Sequence, residues 1–265
     1  SQNWGLINFP SSYSYNATTY TISGFNPMST APIAMDGVIS NTQSGFMGGA
    51  QFGYNYQYGS NIVLGVETDI QGASVRGSGR STGLTNGGST ASVSNGSAAV
   101  SASYTDAAIG YTKVQAGLDY LGTVRGRIGY LFTPTLLLYG TGGFAYGGAW
   151  ANVVQTTTAS TTAALNGVNL GSFGSYTWNG AGQQNQLLTG WTAGAGAEWM
   201  FMPNWSLKGE ALYWDLGRMN VNTTSYSSDG SGIGWGRTNV NYSGVSARAG
   251  INYHFNFAAP VVAKF

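Results

Sequence analysis

Apolar and polar residues alternate with a period of two along most of this chain, as in β-strands with two unlike faces. From Gly45 to Tyr58, Phe46, Gly48, Ala50, Phe52, Tyr54, Tyr56 and Tyr58 share one face; Gly49, Gln51, Gly53, Asn55 and Gln57 share the other. From Asn61 to Val75, Ile62, Leu64, Val66 and Ile70 oppose Glu67, Asp69 and Gln71. Between Gln115 and Phe132, Leu118, Tyr120, Val124, Ile128, Tyr130 and Phe132 oppose Asp119, Arg125 and Arg127. The same pattern marks Thr135–Val153, Leu187–Met202, Trp205 to about Leu216, and Val240–Phe255. Seven strands are predicted.

The connections alternate in length. Those at Tyr58–Asn61, Phe132–Thr135 and Met202–Trp205 are tight, and the last two carry Pro134 and Pro203, good turn residues. Those at Gly72–Val114, Asn152–Gln186 and Gly217–Asn239 are long and rich in Ser, Thr, Gly and Asn. Short turns on one rim and long loops on the other are the pattern of an outer-membrane barrel, with the long loops outside the cell. The fold class predicted is all-β: a transmembrane antiparallel up-and-down barrel of eight strands, with short periplasmic turns and four long extracellular loops. The even count requires a strand before Gly45. Asn3–Phe9 is one candidate, read as the outer end of a strand that begins upstream of Ser1; a strand within Tyr13–Phe25 is the other. Residues 1–255 are then the barrel and 256–265 a periplasmic tail, free, folded under the barrel floor or held by a periplasmic partner.

Charge orients the wall. The greasy faces carry none, whereas the opposite faces carry Glu67, Asp69, Asp119, Arg125, Arg127, Glu198, Lys208, Glu210 and Arg248. An Arg facing lipid at the bilayer midplane costs about 2–4 kcal/mol, so the greasy face must point to lipid and the charged face inward. A soluble barrel would show the reverse. Five acids and four bases in a lumen that side chains can just fill should pair into an ion-pair and hydrogen-bond network. The aromatics Tyr54, Tyr56, Tyr58, Tyr130, Phe132, Trp199, Phe201, Trp205, Tyr253 and Phe255 gather near the short-turn rim, where a periplasmic girdle is expected.

Composition agrees. Only 7% of the 265 residues are charged, far below a soluble domain, while aromatics reach 14%. That aromatic content is foreign to disordered chains. The net charge of +1 points to no nucleic-acid partner. No run of about 20 apolar residues predicts a transmembrane helix. The chain reads as one already processed by export. Cysteine is absent and His254 is the single histidine, so neither thiolate chemistry nor a metal cluster is predicted.

Four stretches carry a resemblance: Ser44–Gly72 (SGFMGGAQFGYNYQYGSNIVLGVETDIQG), Leu121–Gly147 (LGTVRGRIGYLFTPTLLLYGTGGFAYG), Gly190–Gly217 (GWTAGAGAEWMFMPNWSLKGEALYWDLG) and Val245–Phe255 (VSARAGINYHF). They resemble the small outer-membrane β-barrels of α-proteobacteria, the porin-family or surface-antigen proteins related to the OmpA transmembrane domain. The resemblance implies an outer-membrane location and eight strands. Arg248, Gly250, Tyr253 and Phe255 also look like the C-terminal signal read by the barrel-assembly machinery, a partner during biogenesis. The aromatic-Gly opening strand and Pro-rich linker usual in these proteins are not found at the start of this sequence.

Three functions compete. A structural or surface-interaction barrel follows from a filled lumen and large outer loops, whose few charges are Arg76, Arg80, Asp106, Lys113, Arg218, Asp229 and Arg237. Its partners would be outer-membrane lipid and lipopolysaccharide, and a second copy or another envelope protein met through loops or wall. A passive pore for small hydrophilic solutes would use the room left by Gly49, Gly53, Gly65, Gly143, Gly194 and Gly196. A lipid-modifying enzyme is disfavoured, because His254 falls at the periplasmic end of the last strand, away from the outer leaflet. No catalytic residue and no cofactor is assigned.

Overall fold

A computed structural model describes residues 11–15, 18–22, 39, 43–94, 99–228, 230 and 232–255. No helix occurs among them. Two short strands, β1 (Ser11–Tyr15) and β2 (Thr18–Ile22), pair with each other alone. Seven more form one antiparallel up-and-down sheet in sequence order. They are β3 (Met47–Tyr58), β4 (Ile62–Ser94), β5 (Ala99–Thr133), β6 (Leu136–Leu165), β7 (Val168–Met202), β8 (Trp205–Ser227) and β9 (Ile233–Tyr253).

The seven strands lie where the alternation predicts them, and the tight turns fall at 59–61, 134–135 and 203–204. The sheet curls so that its edge strands β3 and β9 come within side-chain reach: Gln51 Nε2 donates to Asn252 Oδ1 at 2.6 Å. An eight-strand count asks for one more strand at that seam. The candidate at Asn3–Phe9 lies outside the described residues. The candidate within Tyr13–Phe25 does not supply it, since the described part of that segment belongs to the β1–β2 hairpin.

The segments predicted as long loops are mostly strand. β4, β5, β6 and β7 run for 33, 35, 30 and 35 residues, whereas about 9–11 suffice to cross a membrane. The barrel wall therefore continues far beyond the bilayer as long hairpins. The β6–β7 hairpin closes on Asn166-Gly167, both at positive φ (48° and 81°), the conformation that a two-residue hairpin turn of matching twist requires.

Two bulges shift the phase of the alternation. On β5, Leu118 pairs with Ala149 and Tyr120 with Gly148, which leaves Asp119 as an extra residue. On β8, the register with β9 slips between Asp215 and Arg218, around Gly217 at φ 79°. Asp215 Oδ1 accepts the Gly217 N–H at 2.8 Å and fixes that kink. A bulge moves every residue beyond it to the other face. Beyond these two, the inward positions become Val114, Ala116 and Leu118 on β5, and Met219 and Val221 on β8.

Candidate functional site in the barrel lumen

The lumen is built in layers. Nearest the short turns, Val63, Leu137 and Tyr139 pack as a small apolar floor. Above it lies a charged layer whose pairs are set by strand register. Glu67 stands opposite Arg125 on β4–β5, Glu198 opposite Lys208 on β7–β8, and Glu210 opposite Arg248 on β8–β9.

Arg125 is the hub, its side chain fully shielded from solvent. It reaches Glu67 (2.5 Å), Asp69 (2.9 Å) and Glu210 (3.2 Å), joining β5 to the far wall of the lumen. Lys208 Nζ lies 2.5 Å from Glu67 and 3.4 Å from Glu210. Arg248 lies 3.1 Å from Asp69 and 2.5 Å from Glu210. Arg127 lies 2.5 Å from Glu198 and 3.7 Å from Glu67.

Neutral donors complete the acids' coordination. Thr123 Oγ1 donates to Asp69 at 2.6 Å and Tyr139 Oη to Glu210 at 3.1 Å. The Arg127 guanidinium also sits 3.9 Å from the Tyr139 ring centroid, a cation–π contact. Gly196 makes room for this tyrosine, since a Cβ there would collide with its hydroxyl.

Asp119 does not join the other eight predicted lumen charges. It is exposed on the outer wall, because it is the unpaired residue of the β5 bulge. The same bulge turns Leu118, expected on the greasy face, into the lumen. Removing Asp119 leaves four acids and four bases in the layer, a neutral set.

Above the charges comes an apolar layer that alternation alone did not disclose. Leu118, Leu121, Leu188, Trp214, Leu216, Met219 and Tyr242 are its larger members. Their contributing strands lie on opposite sides of the lumen, so the layer crosses it. Still further out, Thr112, Gln155, Thr157, Thr223 and Ser225 are buried, and Thr223 donates to Gln155 at 3.1 Å.

The wall's outer face defines the membrane slab. The predicted girdle residues Tyr54, Tyr56, Tyr58, Tyr130, Phe132, Trp199, Phe201, Trp205, Tyr253 and Phe255 are all exposed. Tyr253 meets both Trp205 and Phe255 edge to face, at 5.1 and 4.8 Å between centroids. A second aromatic set, expected from sequence at the other interface but not assigned residue by residue, includes the pairs Trp191–Tyr213 (5.3 Å) and Phe144–Tyr146 (6.2 Å). The two sets are about ten residues apart along the strands, the length that a tilted strand needs to cross a bilayer. Glu198 lies between them on β7 and Lys208 and Glu210 on β8, and strand register sets the other charges at neighbouring levels.

No family model matches the chain. Two relatives are similar over nearly its whole length. They are the 31 kDa outer-membrane immunogenic proteins of Brucella melitensis biotype 1 and Brucella suis biovar 1. Each is 33% identical over 253 residues, which cover 95% of this chain and 82% of the relative. The chain belongs to the family of the 31 kDa outer-membrane immunogenic proteins. It is an outer-membrane surface protein of the Gram-negative envelope.

Within this member of the family, the single histidine has company that the sequence did not reveal. His254 Nε2 lies 2.8 Å from Ser206 Oγ and 3.3 Å from a Glu198 oxygen, and Ser206 itself donates to Glu198 at 2.6 Å. A nucleophile relay needs the acid on Nδ1 and the hydroxyl on Nε2. Here both oxygens meet the same nitrogen, so the trio is a hydrogen-bonded end to the charged layer. Of the predicted assembly-signal residues, Arg248 points into the lumen, Tyr253 and Phe255 point out at the rim, and a Cβ on Gly250 would meet open space.

Proposed function

We propose that this chain is a structural barrel that anchors and displays its outward hairpins and conducts no solute. What supports this is the pair of consecutive layers across the lumen. The charged layer uses its ions on one another, and the layer above is apolar apart from the Tyr242 hydroxyl, spent on the Trp150 carbonyl, and the Trp214 indole N–H. A permeating ion would exchange its hydration there for at most one indole N–H, and burying even a polar group without its hydrogen bonds costs several kcal/mol. The glycines read as room for water are largely taken up: Gly143 and Gly49 lie against neighbouring backbone and Gly196 under Tyr139.

The display half of the reading rests on the reach of the hairpins. At the tip of β8–β9, Tyr226, Ile233 and Trp235 are all exposed, an apolar surface suited to a protein partner or a second copy. The deciding experiment is planar-bilayer recording of the folded, purified chain. The expected result is a silent bilayer. Stable single-channel steps would establish the pore reading instead.

A further inference from the structure

The charges on the outer wall differ in balance from those in the lumen. Above the outer aromatic set, five bases point outward and are exposed: Arg76, Arg80, Lys113, Arg218 and Arg237. The acids on that wall among the described residues are Asp119, exposed at its bulge, and Asp215, half-exposed and turned onto the Gly217 N–H. Among the described residues none of the five bases forms an ion pair.

Three of the bases form one patch on β4–β5. Arg80 stands directly opposite Lys113 on the antiparallel ladder. Like charges placed opposite each other repel and destabilise a sheet unless an anion sits between them. Arg76 lies four residues closer to the membrane on the same face, about 13 Å along the strand. It faces Gly117, and its guanidinium lies 5.5 Å from the ring centroid of Trp150, which covers that glycine from β6. The patch therefore begins just above Tyr120 and climbs away from the bilayer. An anionic headgroup that meets it would span from the membrane surface at Arg76 outward to the Arg80–Lys113 rung, beside the barrel wall.

We infer that Arg76, Arg80 and Lys113 form a docking surface for the headgroup phosphates of an outer-leaflet phosphorylated glycolipid. The acyl chains would lie along the greasy wall below, and Trp150 would mark the boundary between chain and headgroup. Asp119 is the one exposed acid close to the patch in sequence and would weaken it.

Native mass spectrometry of the folded full chain in mild detergent tests this, with diphosphoryl lipid A as probe and its dephosphorylated form as comparison. Wild type should retain the phosphorylated lipid at least tenfold better, and lose it as salt is raised. Arg80→Gln with Lys113→Gln should remove at least tenfold of the affinity, each single substitution part of it. Arg218→Gln with Arg237→Gln, a loss of equal charge elsewhere on the wall, should change it less than twofold. Asp119→Asn should strengthen it. Circular dichroism and heat-dependent gel mobility check that each variant is folded. Equal retention by the double variant and wild type would overturn the assignment. So would equal retention of the two lipids, or displacement by millimolar inorganic phosphate, which would make the patch a general anion site.

Discussion

Arg125 faces Glu67 across one rung of β4–β5, and its Nη2 also reaches Asp69, so one guanidinium holds two carboxylates of the same strand. A third, Glu210, comes from the far wall. Replacing Arg125 by Met would leave these acids with fewer partners in a site sealed from water. Breaking a buried pair by removing one partner costs about 3–5 kcal/mol. Reversible urea unfolding of the barrel in lipid vesicles should show a loss of that size for Arg125→Met. A change below about 1 kcal/mol, within the usual worth of an exposed pair, would mean that the layer is hydrated.

The apolar layer carries a separate expectation. Leu118 is buried to within 1% of complete shielding. Truncating a buried Leu to Ala costs about 2–5 kcal/mol, through lost transfer energy and the cavity left behind. The same unfolding measurement on Leu118→Ala should fall in that range. Were Leu118 on the lipid face, as simple alternation suggests, the loss would be far smaller.

Asp119 allows a sharper contrast, because its role lies in the backbone. Asp119→Ala keeps the extra residue and should change stability by no more than about 0.5 kcal/mol, as for a surface site. Deleting Asp119 removes the bulge. Residues on one side of it would then swap faces, which would put Leu118 into lipid or Arg125 onto the greasy wall. The deletion variant should fail to give the fast-migrating folded band on an unheated gel. A normally folded deletion variant would show that the bulge does not set the phase.

These residues also show what the sequence could and could not disclose. The seven membrane-crossing segments were legible because their lipid faces are large and apolar and their inner faces charged or small. Register then brought Glu67 to Arg125 and Glu210 to Arg248 without further information. The apolar layer was hidden because the bulges at Asp119 and Gly217 reverse the phase at its edge. The outer hairpins looked like loops because Thr, Ser, Gly and Asn differ too little between their two faces. Val114, Ala116 and Leu118 already alternated, as did Ala149, Ala151 and Val153. The Asn166-Gly167 pair was the remaining clue that strands met there.

In the outer part of the barrel, fourteen residues beyond Tyr120, Asp106 is buried and accepts a hydrogen bond from Thr161 at 2.7 Å. Burial pushes its carboxyl up from the ordinary range, and the Thr161 bond partly offsets this. A carboxyl whose folded value is raised binds its proton more readily in the folded state. Its contribution is fully present below the unfolded value and is lost as pH rises through the raised one. Asp106→Asn keeps an acceptor for Thr161 without the charge. At pH 7 the outer β5–β6 hairpin of this variant should protect its amides from exchange better than wild type. Below the ordinary carboxylate range the two should match. Equal protection at pH 7 would show that the Asp106 charge is not a burden there.

The orientation of the whole wall can be tested at Ile128. It lies two residues from Tyr130 and three from Arg125, on the exposed face between the aromatic sets. Its neighbours Arg125 and Arg127 point the other way, into the charged layer. Ile128→Arg would place a guanidinium against hydrocarbon inside the girdle, at a cost that rises towards about 2–4 kcal/mol at the bilayer midplane and shrinks towards either interface. The same substitution at Phe132, on the rim, should therefore cost no more than about 1 kcal/mol. Unfolding of the two variants in vesicles reads the difference directly. Equal costs at the two positions would mean that the exposed face does not meet a bilayer core, and the outward direction of the greasy residues would have to be abandoned.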